Sequence, residues 1–176
     1  MKDLKVILTG GPSSGKTTLI TELEKRNYSV VHEVARHVLE ERKNFEPTKS
    51  EWEIRQKMIY EKQLSEENNS QGLVFFDRSI LDGIAYSKHL IGFVPYVAAK
   101  TNYDLVFNLE RLPFVNDGLR IESGDEEAQE LHEKILNTYL ENGYSPIEIP
   151  AIKDDSIPRA ISRRADYLIE KVNERI

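Results

Sequence analysis

The sequence predicts an α/β protein whose parallel sheet is covered by helices on both faces. Two observations support this fold class. Short apolar runs alternate with longer segments of helical spacing along the chain, and parallel strands need such crossover helices between them. The apolar runs are also nearly continuous, as in strands that are buried on both faces. About five strands are expected.

The first half of the chain contains three of these strands. Each run is rich in apolar or β-branched residues, and the third, Leu-Val-Phe-Phe, is the most apolar run in the chain. Turn-forming residues end the long helix before it. In order, we predict a strand at 5–8, a helix at 15–26, a strand at 28–32, a helix at 33–42, a long charged helix at 47–69 and a strand at 73–76 that ends at Asp77.

The second half contains two strands and a break between them. Pro113, Gly118 and Gly124 interrupt regular structure after the fourth strand, so residues 110–125 are expected to form a loop. Gly143 marks the end of the next helix. In order, we predict a helix at 80–91 with room for a second near Tyr96, a strand at 103–109, a helix at 125–142, a strand at 146–149 and a last helix, capped by Asp154 or Asp155, that runs to about residue 172.

Composition limits the classes of function. The chain of 176 residues is long enough for about one domain. Its 24 Lys and Arg against 30 Asp and Glu give a net charge of −6, which argues against a nucleic-acid partner. The absence of cysteine excludes disulfides, thiolate metal sites and a cysteine nucleophile. No apolar run approaches the ~20 residues of a membrane span and no signal peptide is visible, so a cytoplasmic location is expected. The oligomeric state, monomer or dimer, stays open.

Residues 10–17, Gly-Gly-Pro-Ser-Ser-Gly-Lys-Thr, match the phosphate-binding pattern G-x-x-x-x-G-K-[ST] between a strand and a helix. Glycines let the backbone wrap so that successive N–H groups face a phosphate, and the helix N-terminus favours an anion. Lys16 is expected to reach the β- and γ-phosphates, Thr17 to bind Mg²⁺, and Thr18 to cap the helix. The expected nucleotide contacts are Gly11, Pro12, Ser13, Ser14, Gly15, Lys16, Thr17 and Thr18.

Two acidic residues follow predicted strands, at the sheet edge where ligands of parallel sheets bind. Asp77 is expected to hold Mg²⁺ together with Thr17, the alternative being a helix N-cap. Glu33 is expected to face the acceptor substrate, the alternative being a solvated residue of a first helical turn. Arg36 is expected either to pair with Glu33 or to reach a phosphate. Arg78 either binds the acceptor or forms a surface salt bridge.

Other charged residues carry weaker signals. The four histidines show no metal-ligand spacing and are expected to be structural or exposed. Three arginines cluster on the last helix and are expected mainly on its solvent face, with one of them close enough to approach the nucleotide as the alternative: Arg159, Arg163 and Arg164.

Five blocks occur in one order along nearly the whole chain: GGPSSGKTT from Gly10, HEVAR from His32, FFDRSILDGIAY from Phe75, FVNDGLR from Phe114 and a GY-then-strand element at Tyr144. Together they resemble the NadR-like family of P-loop ATPases and kinases, which includes the nicotinamide riboside kinase domain. They are also similar to thymidylate and deoxynucleoside kinases, in which an acidic residue and an arginine follow the third strand.

The resemblance implies a three-layer P-loop NTPase fold made by a single domain over residues 1–176, with strand order 2-3-1-4-5. It also implies a lid at about residues 111–125 that closes over the phosphates. Arg120 matches the arginine of the family's D-G-x-R motif, and Arg111 is a second candidate. An arginine supplied on closure would stabilise charge on a transferring phosphoryl group.

The leading hypothesis is a phosphotransferase that moves the γ-phosphate of Mg·ATP to a hydroxyl of a small nucleoside-like or cofactor-precursor molecule. Its expected catalytic residues are Lys16, Glu33, Asp77 and Arg120. ATP is the expected donor, and GTP stays open because the base contacts cannot be read from the sequence. The alternative is an NTP-hydrolysing or nucleotide-dependent switch protein that acts through a partner. A GTPase of the switch type is disfavoured because the chain lacks N-K-x-D and D-x-x-G motifs.

Overall fold

The computed structural model describes residues 3–112, 124–152, 154 and 156–175. Within these ranges, strands and helices follow the predicted alternation. The elements are β1 (Leu4–Thr9), α1 (Lys16–Lys25), β2 (Ser29–Val31), α2 (Val34–Glu41), α3 (Lys49–Asn69), β3 (Leu73–Asp77), α4 (Ile80–Ile91), β4 (Leu105–Leu109), α5 (Asp125–Glu141), β5 (Ile147–Ile149) and α6 (Ile157–Asn173).

The strands form a parallel sheet in the order β2-β3-β1-β4-β5, which confirms the expected order 2-3-1-4-5. Leu8 of β1 pairs with Asp77 of β3, and the Arg78 N–H donates to the Leu8 carbonyl oxygen at 3.0 Å. The end of β3 therefore lies directly beside the start of the loop that follows β1. Glu33 follows β2, whose Val31 pairs with Phe76. This register brings the loop after β1, Asp77 and Glu33 to one edge of the sheet.

Alternate residues of each strand enter two separate cores, which gives the three layers. Val6 and Leu8 of β1 pack on one face with apolar residues of α1 and α6. Ile7 packs on the other face with residues of α4 and α5. Both cores contain side chains that are fully shielded from solvent, and burial of such side chains contributes about 1.5–3 kcal/mol each. The α/β fold class with helices on both faces is thus confirmed.

Three local expectations are wrong. Residues 92–104 form turns and irregular backbone rather than a second helix near Tyr96. The N-cap position of α6 is Ser156, whose N–H donates to the Asp154 carboxylate at 3.1 Å, so Asp154 supports the cap from outside the helix. Thr18 lies in the first turn of α1 and does not cap it, because the N-cap position is Gly15.

None of the helices within the described ranges has the length together with the apolar character that a bilayer crossing requires.

Candidate active site

The loop between β1 and α1 wraps around the ammonium group of Lys16. This group donates to the carbonyl oxygens of Gly10 and Gly11, at 2.8 Å each, and to the Ser14 hydroxyl at 2.9 Å. Lys16 is only 5% exposed. Gly15 adopts a left-handed backbone with φ of 80°, which glycine accepts without strain and which turns the chain into α1. The cation is thus held inside the loop.

The N-terminus of α1 is open to an anion. Within the described residues no side chain caps it, and the first turn of any helix leaves N–H groups without intrahelical partners. The first turn also contains no acidic side chain. Since the partial positive charge of a helix N-terminus adds to that of Lys16, this end of α1 suits a phosphate group.

Thr17 and Asp77 form the part of the site that fits a divalent cation. The Thr17 hydroxyl donates to Oδ2 of Asp77 at 2.8 Å, which joins the start of α1 to the end of β3. Oδ1 of Asp77 is buried and has no hydrogen-bond partner among the described residues. A hydroxyl beside a carboxylate with a free oxygen is a donor set of the hard-oxygen type that Mg²⁺ prefers. The residues present therefore fit Mg²⁺.

A second carboxylate, that of Glu33, lies beside this pair and is held by two arginines. Glu33 accepts from Nε of Arg78 at 2.9 Å and from Nε of Arg36 at 3.1 Å. Arg36 thus pairs with Glu33, and Arg78 lies in a mostly buried ion pair rather than in a surface one, with its side chain 12% exposed. Arg78 Nη1 is buried without a hydrogen-bond partner among the described residues and lies 3.6 Å from Oδ1 of Asp82. The two arginines therefore orient Glu33, and Nη1 of Arg78 is left without a hydrogen bond among the described residues.

The charges of this cluster perturb one another. Burial and the charge of Arg78 lower the pKa of Lys16 to about 7. Burial and the charge of Glu33 raise the pKa of Asp77 to about 6. Burial would raise the pKa of Glu33, but the positive charges of Arg78, Lys16 and Arg36 outweigh it and hold that pKa below the ordinary value. Opposed shifts among neighbouring titratable groups are typical of functional sites.

Asp82, in the first turn of α4, adjoins the cluster through its ion pair with Arg78. Its carboxylate accepts from the Thr9 hydroxyl at 2.7 Å, the Tyr139 hydroxyl at 2.5 Å and the Ser79 N–H at 2.9 Å. Ser79 and Asp82 also form a capping box at the start of α4. The end of β1, the start of α4 and α5 are thereby tied together beneath the site.

Two residues from the second half of the chain contact the phosphate-binding loop; for Arg164 the structure favours the alternative that the sequence left open, and His132 was not expected there. Arg164 of α6 is buried rather than on the solvent face, and it donates to the Ser14 carbonyl oxygen at 2.6 Å. His132 of α5 accepts the Gly11 N–H at Nδ1, at 2.9 Å. Neither contact has a signal in the sequence, since both residues lie more than 100 positions from the loop. Arg120, the expected lid arginine, lies outside the described residues.

A family model described as an AAA domain matches residues 5–155. The chain belongs to this AAA-domain family. The resemblance to NadR-like P-loop proteins is thereby confirmed. No curated protein matches the chain.

Solved structures with a fold similar to that of this AAA-domain protein include a deoxyadenosine kinase, NadR and a thymidylate kinase. Deoxyadenosine kinase from M. mycoides aligns with a TM-score of 0.64 and 16% identity over 97% of this chain and 99% of that kinase. NadR in complex with NR aligns with a TM-score of 0.69 and 22% identity over 98% of this chain, which spans 51% of the NadR chain. Thymidylate kinase from Ehrlichia chaffeensis aligns with a TM-score of 0.61 and 14% identity over 96% and 98%. At these identities the likeness shows the shared fold.

Proposed function

We propose that this protein is an ATP-dependent phosphotransferase that moves the γ-phosphate of Mg·ATP to a hydroxyl of a small nucleoside-like or cofactor-precursor molecule. One observation supports the transfer most strongly: the Glu33 carboxylate, whose side chain is 14% exposed, is oriented by Arg78 and Arg36 and interacts with the charges of Lys16 and Asp77. A site that only binds a nucleotide needs the loop and the metal ligands, whereas a site that transfers or hydrolyses a phosphate also needs a group that orients the nucleophile. A second oriented carboxylate at the phosphate end is what an acceptor hydroxyl requires.

The donor half of the proposal uses the loop and β3. Lys16 and the N–H groups of the loop would bind the β- and γ-phosphates, with Gly11, Pro12, Ser13, Ser14, Gly15 and Thr18 lining the same path. Thr17 and Asp77 would hold Mg²⁺, which supplies charge neutralisation and orientation of the phosphates. No base contact is identified among the described residues, so GTP remains an alternative donor to test.

The acceptor half uses Glu33, Arg78 and Arg36. The acceptor hydroxyl would donate to Glu33, and Nη1 of Arg78, which lies in an ion pair with Asp82 but makes no hydrogen bond among the described residues, would donate to a second oxygen of the acceptor. As the acceptor oxygen bonds to the γ-phosphorus, the bond from that phosphorus to the β,γ-bridging oxygen breaks and ADP leaves. The hydroxyl proton passes to Glu33. A carboxylate with a low pKa is adequate for this role, because a loose transition state places little demand on the base.

The lid is part of the proposal. Arg120 would contribute charge to the transferring phosphoryl group, in a lid at about residues 111–125. Of this stretch, the structure describes Arg111, Leu112 and residues 124–125. Arg111 donates to the Asp125 carboxylate at 2.7 Å and so joins the two ends of the stretch.

The test is an ADP-release screen of the purified protein with Mg·ATP or Mg·GTP against a library of nucleosides and cofactor precursors, with mass spectrometry of the phosphorylated product. Glu33→Ala is expected to bind Mg·ATP within about threefold of the wild type and to lose transfer by at least about 100-fold. Glu40→Ala, on the exposed side of α2, is the matched control. Circular dichroism of Glu33→Ala and Glu33→Gln checks folding, because both remove one of the two carboxylates that pair with the mostly buried Arg78.

Two results would overturn the assignment. Unchanged transfer by a folded Glu33→Ala protein would remove Glu33 from the mechanism. ADP release that never yields a phosphorylated acceptor across the library would favour the alternative, a nucleotide-hydrolysing switch.

A further inference from the structure

The outer side of the phosphate-binding loop is held at consecutive backbone positions by groups from two other parts of the fold, the segment after β4 and helix α6. Nε of Arg111 donates to the carbonyl oxygen of Pro12 at 3.1 Å. The N–H of Leu112 donates to the carbonyl oxygen of Ser13 at 2.8 Å. Nη1 of Arg164 donates to the carbonyl oxygen of Ser14 at 2.6 Å. Three successive carbonyl groups therefore face outward, away from the interior of the loop.

This orientation determines where the next N–H groups point. In a planar trans peptide the carbonyl and the following N–H point in opposite directions, and the described residues contain no cis peptide. Outward carbonyls at residues 12, 13 and 14 thus turn the N–H groups of residues 13, 14 and 15 inward. These N–H groups would donate hydrogen bonds to a phosphate in the loop. The same three peptide groups therefore accept hydrogen bonds on the outside of the loop and present their N–H groups to the phosphate site inside it.

His132 acts on the peptide at the start of the loop. In the peptide that joins Gly10 and Gly11, the carbonyl oxygen accepts from Lys16 and the N–H donates to His132 Nδ1. The approach is close: a methyl group at Gly11 would lie 2.6 Å from Cβ of His132, so only glycine fits. His132 thereby holds the side of the loop opposite to Lys16.

The contacting side chains are themselves fixed. Besides Ser14, the Arg164 guanidinium donates to the carbonyl oxygens of Glu110 and Ile149, at 3.0 and 3.2 Å, where β4 and β5 end. Arg164 is 7% exposed. Arg111 is anchored by Asp125 and by Oε1 of Gln129, at 3.2 Å, in the first turns of α5. Each side chain therefore links the loop to an element of the rigid fold.

We propose that Arg111, His132 and Arg164 form an outer brace of positioning residues that holds the loop in its phosphate-binding shape before any nucleotide arrives. The value of the brace for binding rests on the proposed function, whereas its effect on the loop does not. None of the three contacts the phosphates in this proposal; they act through the backbone of residues 11–14. Preorganisation of this kind lowers the conformational cost of binding.

A simpler alternative is that Arg164 only adds positive charge near the phosphates. Arg164→Lys separates the two explanations, because lysine keeps the charge and cannot make the forked contacts to Ser14, Glu110 and Ile149. Arg163→Lys is the matched control on the neighbouring, exposed position of α6, where the arginine pairs only with Asp154 among the described residues. Arg164→Ala completes the series, and Arg164→Lys retains the test should the alanine variant fail to fold.

Two measurements test the brace. The first is the ¹⁵N backbone order parameter of residues 13–15 in the nucleotide-free protein, expected near 0.85 in the wild type and below 0.6 in Arg164→Lys. The second is the dissociation constant for Mg·ATP by calorimetry, expected to rise about tenfold in Arg164→Lys, the effect of losing roughly one charge-assisted hydrogen bond. Arg163→Lys should match the wild type in both.

The outcomes separate the brace from the proposed function. Wild-type order parameters or wild-type Mg·ATP affinity in Arg164→Lys would overturn the brace, and the second result would support the simple charge effect. A wild-type protein that binds neither Mg·ATP nor Mg·GTP would overturn the proposed function, while the order parameters would still decide whether the brace exists.

Discussion

Asp77→Asn should make the nucleotide-free protein more stable while it weakens magnesium-dependent nucleotide binding. The Asp77 carboxylate is 1% exposed, and one of its oxygens has no partner among the described residues. Its pKa of about 6, against the ordinary 3.8, corresponds to about 3 kcal/mol of destabilisation of the charged form. The amide keeps an acceptor for Thr17 but adds a buried N–H without a partner, which costs about 1–3 kcal/mol. The expected net gain is therefore at most about 2 kcal/mol at pH 7.5.

The gain should depend on pH. Because the folded pKa of Asp77 lies above 3.8, the folded protein binds a proton more tightly than the unfolded chain between pH 3.8 and about 6. The wild type therefore loses stability as the pH rises through this window. The stability of Asp77→Asn relative to the wild type should be highest above pH 6 and should fall by about 3 kcal/mol below about pH 4, where the variant becomes the less stable protein, as measured by urea unfolding of both proteins across that range.

Asp82→Asn is the matched control, with the opposite sign. This carboxylate is as buried as that of Asp77 but accepts hydrogen bonds from Thr9, Ser79 and Tyr139. Asp82→Asn should therefore be about 2–3 kcal/mol less stable than the wild type at pH 7.5.

The affinity for nucleotide is the second measurement on Asp77→Asn. Calorimetry should show a Mg·ATP affinity at least about tenfold weaker in Asp77→Asn than in the wild type. An Asp77→Asn protein that is less stable than the wild type at about pH 7.5, or that binds Mg·ATP equally well, would refute the reasoning.

Three further predictions concern the loop. The pKa of Lys16, lowered to about 7 by burial, should rise when phosphates bind, so calorimetry at pH 7.5 in buffers of different ionisation enthalpy should show proton uptake that disappears in Lys16→Ala. Gly11→Ala should lose about 1–3 kcal/mol in thermal unfolding because the added methyl group meets His132, whereas Gly124→Ala, with extended backbone and open space, should change it by less than about 0.5 kcal/mol. Burial and the charges of Lys16 and Arg111 lower the pKa of His132, so the wild type should lose stability below about pH 6.5 relative to His132→Ala, and equal pH dependence in urea unfolding would contradict this.

Local pattern was sufficient for the sheet and for the phosphate-binding loop. The apolar runs predicted β1, β3 and β4 within two residues, because strands buried on both faces need apolar residues at nearly every position. The glycines and the lysine, at this spacing between a strand and a helix, are specific to a phosphate-binding loop. The strand order came from the resemblance to a family and not from the pattern, since periodicity does not say which strands are neighbours.

Contacts between distant segments could not be read in this way. Whether Glu33 is a solvated helix residue or an oriented carboxylate depends on Arg78, which lies 45 positions away and reaches it only because β2 and β3 pair. Arg164 looks like its exposed neighbour Arg163 in sequence, and the rotation of α6 against the sheet alone makes it buried.

The sequence by itself thus determined which reactive side chains the protein has and which strand ends they follow. Local sequence suffices for this because neighbouring residues along the chain govern backbone conformation and the pattern of apolar burial. The pairing of those groups was decided by packing: a shift of one residue in register or a small rotation of α6 would leave the same loop with different partners. Hydrogen bonds and pKa values depend on distances of a few ångströms, and only the assembled sheet and helices set those distances.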